Sequence, residues 1–229
     1  MKHRNRYPQT IAIDGPAASG KSSVGKHIAN NLGYMFLDTG VMYRAVTYAV
    51  IEKGIAVEDE HAVGALAEAI QVEVKKVSGT EDRKYAIFVD SINVTDQLRT
   101  TQVNRFVSQV SRYEKVRTAM TEQQKRIGRN GAIVMAGRDI GTVVLPQADL
   151  KVYLEATPQE RARRRFAEEQ EKGNNISYEA ILENVQMRDE IDSTREIAPL
   201  KPADDAHIIN TDGKDVAQVT AEIMKIIEN

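Results

Sequence analysis

A stretch of the chain from Gly15 to Ser22 has the residue types and spacing of a loop that binds phosphate. It reads Gly-Pro-Ala-Ala-Ser-Gly-Lys-Ser and matches the pattern G-x-x-x-x-G-K-S/T. Glycines allow the backbone to turn so that successive N–H groups point towards an anion. We expect Lys21 to reach the outer phosphates of a nucleotide and the Ser22 hydroxyl to bind Mg²⁺. The alternative is an ordinary turn of small residues that happens to precede a lysine.

The residues on either side predict the strand and the helix that such a loop requires. Thr10–Asp14 is a short apolar run, typical of a buried strand. After the loop, Val24, Ile28 and Leu32 recur at helical spacing, and Gly33 supplies a signal for the end of the helix. This strand–loop–helix context favours nucleotide binding over an ordinary turn.

Further strands alternate with helices along the chain, which indicates a parallel sheet covered by helices. The other predicted core strands are 34–38, 132–136, 150–154 and 206–210. Helices are predicted from Asp38 or Thr39, from Glu114, from the capping box Thr157–Glu160, from Ser177 and from Val216. We therefore expect an α/β protein with the three-layer P-loop NTPase fold and a parallel five-stranded sheet.

The stretch from about 65 to 110 departs from this alternation. Its predicted strands and turns are Gln71–Val77, Ser78-Gly79, Arg83–Val89, Asp90-Ser91 and Ile92–Thr95. Hairpins of this kind cannot join a parallel sheet through short connections. We therefore expect a small β-rich subdomain inserted into a single domain (1–229) whose core comprises 10–64 and 111–229. The alternative is a meander packed on the core as an edge.

Composition excludes several classes of function. The net charge of −2 provides no general attraction for nucleic acid or a membrane surface. The absence of cysteine excludes disulfides, thiolate metal sites and a cysteine nucleophile. The segment 1–9 is basic and polar, without the apolar stretch of a signal peptide, and no apolar run reaches transmembrane length. We expect a cytoplasmic protein with no nucleic-acid or membrane partner.

Charged residues that follow the predicted strands are candidates for the same site as the phosphate loop. Ligands of open parallel sheets bind at the carboxyl ends of the strands. Asp38 follows the second predicted strand, and Gly137-Arg138-Asp139 follows the third. In a later helix, Arg188, Asp192 and Arg195 have the spacing i, i+4, i+7, which predicts a shared face.

Four blocks together resemble the bacterial cytidylate kinases, a family of nucleoside monophosphate kinases. The blocks are Gly15–Ser23, Asp38–Arg44, Gly137–Val144 and Arg188–Arg195. They occur in order over nearly the whole chain, whereas the phosphate loop alone would indicate only a large superfamily. The resemblance implies that ATP phosphorylates CMP and dCMP, with Mg²⁺. It also implies that 65–110 is the nucleoside-monophosphate-binding insertion and that 157–190 is a helical lid.

The resemblance further implies roles for individual residues. The residues implied in catalysis are Lys21, Arg138 and Arg188. Those implied in ATP binding are Gly15, Pro16, Ala17, Ala18, Ser19, Gly20, Lys21, Ser22 and Ser23, with Arg161 and Arg165 in a mobile lid. Those implied in CMP binding are Thr39, Tyr43, Arg44, Ser108, Arg117, Arg138, Asp139, Arg188, Asp192 and Arg195. Ser22 and Asp38 are the implied Mg²⁺ ligands.

The chemistry of the implied reaction suits these residue types. A phosphate monoester has a second pKa of about 6, so its attacking oxygen is already ionised at neutral pH and needs no general base. The protein must instead align and neutralise two polyanions, a task for arginines, which bind phosphate bidentately. A carboxylate such as Asp139 accepts from the cytosine N4 amine and repels the O4 of uracil. Asp192 is placed to accept from either hydroxyl of the sugar.

Several alternatives stay open at the level of the sequence. Arg161 and Arg165 fit surface ion pairs with neighbouring glutamates as well as a lid. Asp38 fits a helix cap, Ser108 an ordinary position on an amphipathic helix, and Tyr43 simple packing. Many family members carry an acidic residue where this chain has Ala136, so Asp38 is the one carboxylate assigned to the metal.

Two other functions compete with the first. One is a kinase for UMP or dTMP. The other is a non-catalytic P-loop switch, which the absence of an Asn-Lys-x-Asp motif disfavours. We expect a monomer.

Overall fold

The computed structural model describes residues 7–76 and 85–228. The strands are β1 (Thr10–Asp14), β2 (Met35–Asp38), β3 (Val72–Lys76), β4 (Tyr85–Val89), β5 (Ile92–Asn93), β6 (Ile133–Gly137), β7 (Leu150–Glu155) and β8 (His207–Asn210). The helices are α1 (Lys21–Leu32), α2 (Gly40–Glu52), α3 (Glu60–Ala69), α4 (Thr101–Val110), α5 (Glu114–Gly128), α6 (Pro158–Glu171), α7 (Tyr178–Thr194) and α8 (Val216–Glu228). No helix in these two ranges is long and apolar enough to cross a membrane.

The first of two compact units comprises the described parts of Met1–Asp38 and Gly128–Asn229. It contains a parallel five-stranded sheet in the order β2-β6-β1-β7-β8. The register pairs Asp38 with Ala136 and Asp14 with both Gly137 and Tyr153. The ends of four strands therefore lie side by side at the carboxyl edge. The predicted α/β P-loop fold with a five-stranded parallel sheet is confirmed.

The core of this unit forms where α1 and α8 cover one face of the sheet. Alternate residues of β1, Ile11 and Ile13, are fully buried there against Val24 and Ile28 of α1 and Ile223 of α8. The apolar stripe predicted for α8 is thus the surface that it buries. Burial of this stripe, together with the strand pairing, holds the loop between β1 and α1 in place.

The second unit comprises Thr39–Ile127. Its strands form a separate antiparallel sheet, β3-β4-β5, so the alternative of a meander added to the edge of the main sheet is wrong. Asp90 and Ser91 both have positive φ and form the predicted turn between β4 and β5. The predicted Ser78-Gly79 turn, like Val77 and Arg83 at the predicted strand ends, lies outside the described residues. This unit begins before residue 65 because α2 packs on α3, α4 and β4.

Three local features differ from the sequence-based expectations. Helix α4 was not predicted, although Thr100 caps it by accepting from the Val103 N–H. A single π-helical turn, Ile140–Val144, follows β6. Helix α7 ends at Thr194, so Arg195 is extended and does not share a helix face with Arg188. The hydroxyls of the last two helical residues bind the carbonyls of Asp189 and Glu190, and such bonds compete with continued helix.

Candidate functional site

The loop between β1 and α1 has a backbone that its glycines make possible. Gly15, Ala18 and Gly20 have φ of 147°, 59° and 93°. A Cβ atom on Gly15 would lie 2.1 Å from the Leu154 carbonyl oxygen, so glycine alone fits this position. The loop turns sharply against the end of β7 and leads directly into the N-terminus of α1, which is the geometry of an anion-binding loop.

Lys21 lies inside this loop and is almost completely buried. Its ammonium donates to the Pro16 carbonyl at 2.5 Å and to Ser19 Oγ at 3.3 Å. Burial lowers the pKa of Lys21 well below its usual value, and the charge of Arg138 lowers it further, whereas Asp38 and Asp14 act to raise it. The positive charges of Lys21 and Arg138 therefore repel each other.

Donors from elsewhere in the same unit engage the carbonyls of the loop. Arg161 NH1 donates to the Ala17 carbonyl at 3.3 Å, and Thr211 Oγ1 donates to the Ser19 carbonyl at 3.4 Å. Arg164 in turn donates to Thr211 Oγ1 at 3.1 Å. Two arginines of α6 thus connect this helix to the phosphate loop: Arg161 binds it directly, and Arg164 binds it through Thr211.

Arg161 is held on its other side by α7. Its guanidinium makes two parallel hydrogen bonds to the carboxylate of Asp189, at 2.8 and 2.5 Å, and only 2% of the residue is exposed. The alternative of surface ion pairs instead describes Arg163 and Arg164, which both pair with Glu160 at 2.9 Å. Arg165 is half-buried farther along α6.

Ser22 and Asp38 meet where α1 begins and β2 ends. The Ser22 hydroxyl donates to Asp38 Oδ2 at 2.5 Å. Helix α2 begins after Thr39, whose side chain makes no cap. Within the described ranges no group of three or more His, Cys, Asp or Glu residues could hold a metal. One carboxylate and one hydroxyl suit Mg²⁺, which prefers oxygen ligands and takes the rest from water and substrate phosphates.

A cluster of four charged residues forms beside this edge of the sheet, in the first unit. Arg138 Nε donates to Asp192 Oδ2 at 2.8 Å. Arg195 lies 3.6 Å from Asp139 Oδ1 and 3.5 Å from Asp192 Oδ1. Burial alone would raise the pKa of Asp192, but the charges of Arg138, Arg195 and Arg188 outweigh it and hold the pKa below its usual value. The structure therefore brings together four of the residues predicted for this region, and the charge of the fifth, Arg188, acts on Asp192.

The remaining predicted residues lie in the second unit. Arg44 NH1 donates to the Leu98 carbonyl at 3.1 Å and to Asn104 Oδ1 at 2.6 Å. Arg117 is buried and lies over the ring of Tyr43, 5.5 Å from its centroid. Thr39 is buried at the start of α2, and Ser108 is half-buried on α4.

Sequence reasoning missed three residues that hold predicted site residues. Asp189 supports Arg161, Asn104 supports Arg44, and Asp14 binds backbone next to Arg138 and Asp139. Asp189 lies inside a block that had been singled out, and Asp14 directly precedes the phosphate loop. Asn104 carries no recognisable signal, because it lies on the helix that was not predicted.

The fold and the loop define a class, that of the P-loop nucleotide-binding α/β proteins. The family model for cytidylate kinase matches residues 11–229. A cytidylate kinase of Bacillus pumilus is 44% identical over 94% of this chain and 94% of its own length. One of Carboxydothermus hydrogenoformans is 44% identical over 95% of this chain and 96% of its own. The chain belongs to the cytidylate kinase family.

A solved structure shares the fold at much lower identity. An uncharacterised protein from Eubacterium ventriosum matches with a TM-score of 0.50 and 11% sequence identity, over 96% of this chain and 98% of that one. At this identity the likeness concerns the fold alone.

Proposed function

We propose that this protein transfers the γ-phosphoryl group of ATP to CMP and dCMP, producing ADP with CDP or dCDP. The observation that carries the proposal is the gathering of Lys21, Arg138, Asp139 and Asp192 at the carboxyl edge of one parallel sheet, in a member of the cytidylate kinase family. Three of these side chains are suited to three different parts of a nucleotide: Arg138 to its phosphate, Asp139 to its base and Asp192 to its sugar.

On the donor side, the loop Gly15–Ser23 binds the phosphates of ATP through its backbone N–H groups and the N-terminus of α1. Lys21 exchanges its contacts with the Pro16 carbonyl and Ser19 for the outer phosphates. Arg161 supports this loop from α6 and Arg165 adds positive charge. Mg²⁺, bound through Ser22 and Asp38, would neutralise charge on the β- and γ-phosphates.

On the acceptor side, Arg44 binds the phosphate of CMP, and Arg138 and Arg188 stabilise the charge that is shared during transfer. The attacking phosphate oxygen is already ionised, so no side chain has to remove a proton. The bond between the γ-phosphorus and its bridging oxygen breaks as the new bond to the CMP oxygen forms. Positioning and neutralisation of charge are therefore the main tasks of the protein.

Recognition of the base is assigned to Asp139, Arg117 and Ser108. Asp139 accepts from the cytosine N4 amine, and a uracil O4 at the same place would meet a buried carboxylate. Tyr43 and Thr39 line the nucleotide, Asp192 holds the sugar, and Arg195 stands by the phosphate or the base. Because either sugar hydroxyl suffices for Asp192, dCMP is accepted as well as CMP.

We further propose that 65–110 acts as the nucleoside-monophosphate-binding insertion and that 157–190 acts as a lid. The lid segment has its own small core, in which Ala162 packs with Ile181 and Val185. Phe166 and Tyr178 add an edge-to-face contact, with ring centroids 6.2 Å apart. A segment that holds together internally can move as one piece and exclude water from ATP.

A coupled assay of ADP release tests the function. ATP, Mg²⁺ and each nucleoside monophosphate are supplied in turn, and CDP or dCDP is identified by chromatography. We expect turnover with CMP and dCMP and much weaker turnover with UMP and dTMP. Equal rates for UMP and CMP would instead support a broader pyrimidine kinase, and absence of any ATP-dependent product from CMP or dCMP would refute the proposal.

A further inference from the structure

Asp14 is the last residue of β1 and directly precedes Gly15, yet no part of the proposed reaction uses it. It is 4% exposed. Its Oδ1 accepts from the Ile140 N–H at 2.8 Å, and its Oδ2 accepts from the Gly141 N–H at 2.7 Å. Both oxygens of this buried carboxylate therefore accept hydrogen bonds from two consecutive backbone amides of another loop.

Those amides follow immediately after Arg138 and Asp139. They open the π-helical turn Ile140–Val144, and the first N–H groups of such a turn have no acceptor within it. The rest of the turn is closed by bonds from Val143 and Val144 to the Asp139 carbonyl. Asp14 therefore supplies the acceptors that fix the start of the turn and, with it, the backbone of Asp139.

Two further observations show that this contact is closely fitted. A Cβ atom on Gly141 would lie 3.3 Å from Asp14 Oδ2 and 3.2 Å from Lys151 Cδ, so a side chain at this position would press on the carboxylate. Burial raises the pKa of Asp14 to about 6, although the two amide bonds act to lower it. Burial thus makes the ionised form of Asp14 unfavourable, and the bonds to the two amides of the Ile140–Val144 turn offset part of that cost.

We propose that Asp14 is a positioning residue that sets the loop carrying Arg138 and Asp139 against the phosphate loop. Because Asp14 directly precedes Gly15, its side chain fixes the positions of the two loops relative to each other at the carboxyl edge of the sheet. The inference rests on the proposed function, because its kinetic effect is expressed in the use of CMP.

The test compares Asp14→Asn with a control variant, Asp149→Ala. Asp149 performs the same kind of task at the opposite end of β1, where its Oδ2 accepts from the Gln9 and Thr10 N–H groups at 2.9 Å. In Asp14→Asn the side chain keeps its size but offers an N–H₂ group to one of the two amides that require an acceptor. A single oxygen of Asp149 accepts both of its amide bonds, so alanine is used there to remove them. Both variants therefore lose backbone contacts, and only one loss lies next to Arg138 and Asp139.

We expect Asp14→Asn to lower kcat/KM for CMP by about 30-fold or more while the KM for ATP changes by less than about 3-fold. Asp149→Ala should lower the melting temperature and leave both constants within about 2-fold. Equal kinetic effects in the two variants, or equal losses for CMP and ATP, would show that Asp14 is merely structural.

Two measurements decide the question if Asp14→Asn does not fold. Gly141→Ala retains the carboxylate but crowds it, and it should reproduce the selective loss for CMP; an unaltered kcat/KM overturns the proposal. In ¹⁵N-resolved NMR of the wild type, the Ile140 and Gly141 amides should exchange slowly with solvent. Fast exchange would also overturn it. If wild type does not phosphorylate CMP, the proposed function fails, but slow exchange would still support the link between the loops.

Discussion

Asp139 is a buried carboxylate whose charge is met by Arg195, and this pairing bears on which base is accepted. Asp139 is 5% exposed, and Arg195 NH2 lies 3.6 Å from its Oδ1. A site that offers a buried acceptor discriminates strongly, because a base without the matching donor leaves that acceptor unpaired. The same carboxylate cannot serve uracil, whose O4 is itself an acceptor.

Replacement of Asp139 by asparagine should therefore weaken the preference for CMP over UMP. We expect Asp139→Asn to lower kcat/KM for CMP by about 100-fold and to reduce the ratio of CMP to UMP use by about 10-fold or more. The measurement is the ADP-release assay with both monophosphates. Asp204→Asn, at an exposed position, is the control and should change neither value. An unchanged ratio in Asp139→Asn would mean that another group reads the base.

The proposed binding of the CMP phosphate by Arg44 depends on the geometry of its guanidinium as well as on its charge. Its guanidinium is held by the Leu98 carbonyl and by Asn104 Oδ1, which direct a planar donor group. Lysine keeps the charge but cannot bind a phosphate bidentately. We expect Arg44→Lys to raise the KM for CMP about 10-fold and to leave the KM for ATP within about 2-fold. Arg105→Lys, on the exposed side of α4, should change neither KM. A rise in the KM for ATP alone would place Arg44 on the donor side.

Among the helices and strands, the predictions match the structure best where a capping residue and an apolar stripe indicate the same helix. Ser177 caps α7 through its side chain as predicted, and Asp59 caps α3 in the same way. Helix α4 was missed because Thr101 and three valines weaken helical propensity, and tertiary packing of Val103 and Val110 overrides it. The strand order, with β6 between β2 and β1, depends on pairing between distant segments, which local patterns do not specify.

For the candidate site, too, the sequence indicates some residues and leaves others to be found in the structure. The candidate residues in the four blocks were chosen from the sequence, through their residue types and the family resemblance. Their partners were not, because a partner such as Asp189 or Asn104 is defined only when two elements meet. The capping box at Thr157 illustrates the point. Thr157 accepts from the Glu160 N–H, but the Glu160 carboxylate turns to Arg163 and Arg164 instead of completing the box.

The ion pair between α6 and α7 should stabilise the protein and support the phosphate loop. Asp189→Asn leaves the Arg161 guanidinium buried with a neutral partner, so we expect a loss of about 1–2 kcal/mol of unfolding free energy, reduced by the partial exposure of Asp189. Because Arg161 also binds the Ala17 carbonyl, the KM for ATP should rise about 5-fold.

Arg163→Gln is the control for this effect. It breaks the pair that the exposed Arg163 makes with Glu160, and such surface pairs add little to stability. The measurements are urea unfolding and the KM for ATP of both variants. If Asp189→Asn is no less stable than Arg163→Gln and binds ATP normally, the pair has neither role.

For the molecule as a whole, two buried carboxylates make the free energy of unfolding depend on pH in opposite directions. The pKa of Asp192 is lowered, so its contribution is present above the usual carboxyl pKa and is lost as pH falls below it. The pKa of Asp14 is raised to about 6, so its folded form binds a proton before its unfolded form does. Ionised Asp14 therefore costs stability, and the protein gains stability as pH falls from neutral towards the unfolded pKa.

The contribution of Asp14 can be isolated by comparing wild type with Asp14→Asn at pH 7 and pH 5. With a folded pKa of about 6, the wild type should gain about 1 kcal/mol relative to the variant on going from pH 7 to pH 5. Urea unfolding at both pH values measures this difference, provided that the slope with urea is the same for both proteins. Other groups titrate equally in the two and cancel. A difference that is constant with pH, or that favours the variant at pH 5, would contradict the idea that burial governs the Asp14 carboxylate.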